Sequence, residues 1–266
     1  MFKFIYYKIL DLYTIHAGMV ILMAIAVLIS PGCGLRHVKD SLEAPSEANK
    51  LLAQIEQKNA GVTSFKGVGR IKFRNQGKLQ ISRGLWAGIK PHQFRIEILN
   101  PARQPAVSIA SDGKWLYLLS HRSGKFHKEE AEDADLEKFI SAPITINDIV
   151  TFLSGGVPLH PFHEAFLKPD SSGNGYVIVL KKRWRGVIEK IYLDKNKVNV
   201  RQVEVYNLNG LVYRASLQSE DGFRRLPQSI VITNRDGLAL QIDVDKFWMN
   251  VPVSTAMFVL SPQRVD

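Results

Sequence analysis

The chain has 266 residues, 45% of them hydrophobic and 23% charged, an ordinary globular composition that allows one large domain or two small ones. Thirty-five Lys and Arg against 25 Asp and Glu give a formal net charge of +10. That surplus favours an anionic partner such as nucleic acid, a membrane surface or an acidic protein. The single cysteine, Cys33, excludes an intramolecular disulfide framework and a Cys-based zinc site.

Residues 1–33 differ in kind from the rest of the chain. Lys3 and Lys8 precede an uncharged, mostly apolar run at 17–30, which ends at Pro-Gly-Cys. These fourteen residues are too few for a membrane-spanning helix, which needs about 20, and are typical of the hydrophobic region of a secretory signal. A cysteine after a small residue resembles the lipobox of bacterial lipoproteins, although Ser30 stands where that motif usually has leucine.

The resemblance to the lipobox implies that Cys33 receives a diacylglyceryl group and becomes the first residue of the mature protein. Gly34, rather than Asp, follows it, which implies sorting to the outer membrane with the folded part facing the periplasm. The alternative is an uncleaved signal anchor in which Cys33 is buried and inert. Removal of residues 1–33 takes away two lysines and one aspartate and leaves +9 of the +10, so the positive charge belongs to the folded part.

Residues 34–45 are polar and predict a tether, and residues 46–266 are interpreted as one folded domain. Ser46 predicts a helix N-cap, and the apolar residues at 48, 51, 52 and 55 lie on one helical face before Gly61. The apolar period then changes from about 3.6 to 2. We predict strands at Phe65–Arg74, Lys78–Trp86, Phe94–Leu99, Ala106–Ala110, Trp115–Leu119, Tyr176–Lys181, Val187–Leu193, Val198–Tyr206, Leu211–Leu217, Gln228–Thr233 and Leu238–Val244. Tight turns join them, which predicts an antiparallel meander.

One apolar insertion, residues 133–166, separates the two halves of the meander. It contains a predicted short helix around Leu136–Ile140. A second helix is predicted from the i, i+3, i+4, i+7 spacing of Ile146, Ile149, Val150 and Leu153. The concave face of the sheet is the surface available to this insertion, and Gly155-Gly156 is a candidate hinge beside the second helix.

The sequence shows no arrangement typical of catalysis. A proline separates His160 from His163 and breaks the helix that would align them on a metal ion. Gly67 and Gly69 lie inside a predicted strand rather than at the strand-to-helix turn of a phosphate-binding loop, and indicate close packing. We therefore expect neither an enzyme nor a metal or other cofactor, and a periplasmic hydrolase is the least favoured reading.

The basic segment Lys181, Lys182, Arg183, Trp184, Arg185 predicts the exposed tip of a hairpin. Cations interleaved with tryptophan suit anionic lipid headgroups, nucleic acid or an acidic protein. Because export separates the protein from nucleic acid, a membrane surface or an acidic partner is favoured.

The order of these elements resembles the LolA/LolB family of lipoprotein-localisation factors. The local likeness is carried by Ser64–Ile71, by Phe94–Pro101, and by Leu226-Pro227 with the strands that follow. The resemblance implies a mostly β (α+β) fold: an open, incomplete antiparallel barrel of about eleven strands with helices plugging its concave side. It also implies an apolar cavity for lipoprotein acyl chains, no catalysis, no cofactor, and a periplasmic LolA-like carrier as partner.

Alternation along the strands, together with the insertion, gives candidate cavity residues, of which we expect about half to be ordinary core: Phe65, Ile71, Phe73, Leu79, Ile81, Trp86, Phe94, Ile96, Ile98, Trp115, Ile149 and Leu153. In LolB-like receptors the turn after the third strand projects an exposed leucine toward the membrane. Here that predicted membrane-contact loop reads Pro101, Ala102, Arg103, with alanine at the leucine position.

The leading hypothesis is a lipid-anchored, LolB-like outer-membrane lipoprotein that binds acyl chains and assists lipoprotein localisation. The alternative is a non-catalytic structural or assembly lipoprotein that uses the same fold to bind a protein partner. Its contact surface would be the basic face formed by Lys181, Lys182, Arg183 and Arg185.

Overall fold

The computed structural model describes residues 46–75, 78–131, 136, 144–218, 227–235 and 237–262. Cys33, the predicted tether and, apart from Leu136, the predicted helix around residues 136–140 lie outside the described residues.

The first described helix, α1, spans Glu47–Ala60 and begins and ends where the sequence predicts. The hydroxyl of Ser46 accepts a hydrogen bond from the backbone N–H of Asn49, and Gly61 is the C-terminal cap. The buried residues Ala48, Leu52 and Ile55 form the face that packs on the sheet. Burial of an apolar stripe, rather than propensity alone, stabilises a helix of this length.

Thirteen described strands form one antiparallel sheet in the order β6-β5-β4-β3-β2-β1-β13-β12-β11-β10-β9-β8-β7. Their bounds are β1 Ser64–Asn75, β2 Lys78–Ile89, β3 Gln93–Leu99, β4 Pro105–Asp112, β5 Trp115–Ser120, β6 Phe126–Glu130, β7 Glu164–Pro169, β8 Tyr176–Lys182, β9 Gly186–Leu193, β10 Val200–Asn207, β11 Gly210–Gln218, β12 Ser229–Asn234 and β13 Gly237–Met249.

The predicted fold class, an open antiparallel barrel with helices on its concave side, is confirmed. Pairing of β1 with β13 brings the two ends of the meander together at the centre of the sheet, and β6 and β7 are the free edges. Those two edge strands are the ones that the sequence did not predict. Both are short and partly exposed, as edge strands commonly are, so they lack a clear apolar alternation.

Glycines on the concave face of β1 and β2 receive aromatic rings from the neighbouring strand. Gly67 pairs with Trp86 across the two strands, and Gly88 pairs with Phe65. A Cβ atom at Gly67 would overlap the Trp86 ring, and one at Gly88 would overlap the Phe65 ring. Gly67 and Gly88 therefore leave space for the aromatic rings to pack closely against the strands.

The second described helix, α2, spans Ile146–Leu153 and fills part of the concave face. Thr145 caps its N-terminus, and every residue in it except Asn147 is buried. Phe152 packs edge-on against Tyr213 of β11, with 6.3 Å between ring centroids. Five of its eight residues are apolar, which agrees with the burial of nearly the whole helix.

The chain after β13 covers part of the convex face of the sheet. A 3-10 helix at Thr255–Phe258 lies against β3 and β4, and Arg95 donates a hydrogen bond to the carbonyl oxygen of Met257. Leu260 joins Tyr117 in a small apolar cluster there. Within the described ranges, no helix is both long and apolar enough to cross a membrane.

Candidate functional site

A cavity of about 690 Å³ lies between α1, the segment after α2 and one end of the sheet. Its walls come from the second half of α1, residues 154–157, the end of β2, the β9–β10 connection and the end of β13. The lining residues are Leu51, Gln54, Ile55, Gln57, Lys58, Asn59, Gly61, Val62, Lys90, Ser154, Gly155, Gly156, Val157, Leu193, Lys197, Val198, Asn199, Val200, Leu217, Pro227 and Met249.

The charged side chains in this lining are all positive. Nine of the lining side chains are aliphatic or methionine, three are lysines, and the described lining contains no aspartate or glutamate. The remaining polar side chains are amides and one hydroxyl, and the volume lies within the range of small-molecule cavities, about 300 to 1,000 Å³.

Lys90 and Lys58 reach this region without a carboxylate partner among the described residues. The Nζ atom of Lys90 donates to the carbonyl oxygen of Asn59 at 2.8 Å, and that of Lys58 donates to the carbonyl oxygen of Val198 at 3.0 Å. Burial lowers the pKa of Lys90, because the charged ammonium loses hydration. Lys197 differs, since it forms an ion pair with Glu47.

Asn59 fixes the segment that follows α2. Its side chain exchanges two hydrogen bonds with the backbone of Val157, one in each direction. Gly155 has a φ of 78° and needs a glycine's freedom, while a Cβ at Gly156 would lie 2.5 Å from the Oδ1 atom of Asn59. The candidate hinge Gly155-Gly156 thus forms part of the cavity wall and is held against α1.

The predicted cavity residues do not line this cavity. Nine of them are buried together in the core around α2: Phe65, Ile71, Phe73, Trp86, Phe94, Ile96, Ile98, Ile149 and Leu153. None of the twelve is part of the cavity wall. The side chains of the insertion occupy the volume that the sequence was expected to leave open.

Three of the predicted cavity residues lie on the face of the sheet opposite α2. Leu79 and Ile81 are 52% and 59% exposed, and Ile81 pairs with Lys72 of β1, whose side chain lies on the convex face. Trp115 is likewise convex, where it packs against the cluster containing Leu260.

A buried polar cluster beside the core was not predicted from the sequence. His160 bridges two buried carboxylates: Nδ1 lies 3.0 Å from Oε2 of Glu189, and Nε2 lies 3.4 Å from Oδ2 of Asp148. The backbone N–H of His160 also donates to Glu189, and Tyr213 donates to Asp148 at 3.0 Å. In the described part of the chain, no cluster of His, Cys, Asp and Glu has an arrangement suited to a metal ion.

The charges in this cluster support one another. Burial alone would lower the pKa of His160, but hydrogen bonds to Asp148 and Glu189 and their negative charges outweigh it and raise the pKa to about 10. The imidazole is therefore a cation at neutral pH. Burial also raises the pKa of the Glu189 carboxyl group. Burial and the negative charge of Asp148 raise the pKa of Tyr213, so its hydroxyl group stays protonated and donates a hydrogen bond. The cluster ties α2 and the following segment to β9 and β11.

Four fully described hairpin turns lie at the end of the sheet opposite the cavity, those between β3 and β4, β5 and β6, β8 and β9, and β10 and β11. We call this the hairpin end. It includes the exposed turn Pro101, Ala102, Arg103, predicted as a membrane-contact loop, and the basic tip between β8 and β9. Other described tip residues are Arg122, Lys125, Leu208 and Arg235.

Trp184 projects from the hairpin end at the tip predicted from the basic segment. Its side chain is 94% exposed, and its backbone lies in the left-handed region with a φ of 69°. Arg183 and Arg185 flank it and are exposed, while Lys181 and Lys182 are half-buried at the strand end. Leu208, 77% exposed at the β10–β11 turn, is a second apolar tip at this end.

The sequence matches no protein-family model and no curated protein. Solved structures share its fold. An outer membrane lipoprotein-sorting protein domain from Vibrio parahaemolyticus aligns with a TM-score of 0.54 at 10% sequence identity. The alignment covers 79% of this chain and 94% of the Vibrio chain. A DUF1329 family protein from Desulfovibrio piger aligns with a TM-score of 0.55 at 12% sequence identity, over 80% of this chain and 95% of the Desulfovibrio chain. A LolA superfamily protein from Nitrosomonas europaea aligns with a TM-score of 0.52 at 14% sequence identity, over 80% of this chain and 97% of the Nitrosomonas chain.

Proposed function

We propose that this chain, with the fold it shares with LolA-superfamily and lipoprotein-sorting proteins, is a LolB-like lipoprotein anchored in the outer membrane. In this proposal it binds acyl chains of lipoproteins and assists their localisation. The observation that carries the proposal is the cavity of about 690 Å³ between α1 and the open sheet. Its aliphatic lining suits binding rather than catalysis, because acyl chains are recognised by apolar area at roughly 25 cal/mol per Å².

In this proposal the cavity opens by movement of the wall that contacts α1. One side is formed by α1, which lies on the sheet, and by Gly155-Gly156, which Asn59 holds against that helix. Release of the two Asn59 hydrogen bonds would widen the cavity without disturbing the strands. A LolA-like periplasmic carrier would deliver the acyl chain to this side.

The lipid anchor and the membrane contact complete the proposal. Cys33 would carry the lipid, and the hairpin end, with Arg103 and Trp184, would face the membrane surface. Tryptophan and arginine suit the headgroup region, and positive tips are attracted to anionic lipids. The cavity, at the other end of the sheet, would then face the periplasm.

A titration with a fluorescent fatty acid tests the proposal. Because residues 45–266 form one compact unit, a chain lacking residues 1–33 retains the whole cavity. Saturable binding is expected, and Leu51→Trp, which places a larger side chain in the cavity from α1, should weaken it. Leu208→Trp, at an exposed turn of the hairpin end, is the matched control and should bind normally. Absence of binding by the unsubstituted chain would contradict the proposal.

The exposed tip at Trp184 favours a second candidate function, a structural or assembly lipoprotein that binds a protein partner through its basic face. Charge reversal by Lys182→Glu and Arg183→Glu separates the two functions. Loss of a protein partner with intact fatty-acid binding would favour the assembly role, whereas unchanged partner association would remove it.

A further inference from the structure

The cavity lining combines an aliphatic wall with cations and has no described acidic side chain to neutralise them. Leu51, Ile55 and Val200 supply alkyl surface, while Lys58 and Lys90 supply ammonium groups at the same cavity. Clefts lined by charges of one sign, with walls of low polarity, concentrate ligands of the opposite charge. An uncharged alkyl chain would contact the aliphatic wall but would form no electrostatic interaction with the two lysines.

Lys90 is the residue whose surroundings argue most strongly for an anion. It is half-buried, and its hydrogen bond goes to the carbonyl oxygen of Asn59, which bears no formal charge. Burial lowers its pKa, so the charged form is destabilised where it stands. An anionic group within hydrogen-bond distance would offset that cost, since hydrogen bonds between charged groups are stronger than neutral ones.

Lys58 and Lys197 show the contrast within the same lining. Lys58 also donates to a backbone carbonyl, that of Val198. Lys197 has its carboxylate, Glu47, and lies 4.1 Å from the centre of the Tyr176 ring. Two of the three lysines are thus available to a ligand, and the third is already paired.

We propose that the cavity selects a single-chain amphiphile with an anionic headgroup, such as a carboxylate or a phosphate monoester, with the headgroup at Lys58 and Lys90 and the alkyl chain along α1. The volume of about 690 Å³ fits one ligand of this size. This inference rests on the proposed binding of acyl chains in this cavity and adds a free, negatively charged single-chain lipid to the ligands that the cavity accepts.

Photo-crosslinking tests the inference on the full chain in nanodiscs of zwitterionic lipid. The probes are a diazirine-bearing hexadecanoic acid and the matching hexadecanol, which differ only in the headgroup. Labelling of peptides from 46–60 and 193–200 is measured by mass spectrometry. The acid should label these peptides about tenfold more than the alcohol, as expected for one charge-assisted hydrogen bond. Inorganic phosphate and hexadecyl phosphate, as competitors, separate a free anion from an amphiphile: only the latter should compete.

Variants assign the preference to Lys90 and Lys58. Lys90→Gln should reduce the acid-to-alcohol ratio about tenfold and Lys90→Arg should retain it. Lys58→Gln should lower it as well. Lys66→Gln, on the exposed convex side of β1, removes the same charge elsewhere and should leave the ratio unchanged. Equal labelling by acid and alcohol, or a ratio unaffected by both glutamine variants, would overturn the inference while acyl binding stands. Cavity labelling by neither probe would overturn the proposed function with it.

Discussion

Asn59 and Val157 hold the wall of the cavity together through two hydrogen bonds. The side-chain amide of Asn59, at the end of α1, donates to the carbonyl oxygen of Val157 at 2.7 Å. Its Oδ1 atom accepts from the backbone N–H of Val157 at 3.0 Å. The residues are 98 positions apart, so this contact joins the first helix to the segment that leaves the helical insertion.

The first prediction concerns this contact. Asn59→Ala should lower the free energy of unfolding by about 1–3 kcal/mol, because the amide and carbonyl of Val157 lose their partners where they are part-buried. Hydrogen exchange should accelerate at residues 154–157 more than in the strands. Asn209→Ala, at an exposed turn, is the control and should change neither measurement. Unchanged exchange at 154–157 in Asn59→Ala would show that the contact does not hold the wall.

The second prediction concerns the space at Gly156. In Gly156→Ala the new methyl group would lie 2.5 Å from Oδ1 of Asn59 and 3.0 Å from Cγ2 of Thr151, so the segment must shift. We expect a loss of about 1–3 kcal/mol in the free energy of unfolding, measured by urea denaturation. Gly61→Ala, where the nearest atom is 3.4 Å away, should cost less. Equal costs for the two variants would contradict the steric account.

The third prediction concerns pH. The pKa of His160 rises from 6.5 to about 10 on folding, so its stabilising contribution is complete below pH 6.5 and is lost as the pH rises toward 10. His160→Gln should lower the free energy of unfolding by about 2 kcal/mol at pH 6, less than for a fully buried pair because the imidazole is partly exposed. The difference from the unsubstituted chain should shrink between pH 7 and 10. His92→Gln, at an exposed position, should show no such dependence. A difference that grows with pH would refute the assignment.

The fourth prediction concerns the hairpin end. Trp184→Ala should weaken association with vesicles containing anionic lipid by about tenfold, measured by sedimentation, because an exposed indole anchors at the headgroup region. Trp248→Ala is the matched control, since Trp248 is 45% exposed at the opposite end of the sheet. Equal loss in both variants would argue against a membrane contact by this end. Association should also decrease with salt, because arginines flank Trp184.

Much of the fold is readable from the sequence because its signals are local. The cap at Ser46 and the apolar spacing of α1 are found within one helix, and the strands follow from alternation. The sequence alone did not show that Leu79 and Ile81 would lie on the exposed face, because β2 has Trp86 at an even position as well as large apolar residues at odd positions. The pairing of Trp86 with Gly67 in β1 decides which set points inward, and that register is a property of two strands.

The candidate site was harder to predict because it joins distant parts of the chain. Leu51, Lys90 and Val198 meet only after α1 packs on the sheet. His160 likewise meets Glu189, 29 positions away, and Tyr213 meets Asp148, 65 positions away. A buried aspartate inside the apolar helix α2 was a sequence signal for this cluster, since a buried charge requires a partner.

The lipid that co-purifies with the protein would show whether the cavity beside α1 holds an acyl chain. The chain lacking residues 1–33 and its Leu51→Trp variant would be purified from the same host and their lipids extracted and quantified by mass spectrometry. We predict about one acyl-chain lipid per protein for the first and less for the variant, because the larger indole narrows the cavity. Lipid absent from both, or equal in both, would contradict the claim.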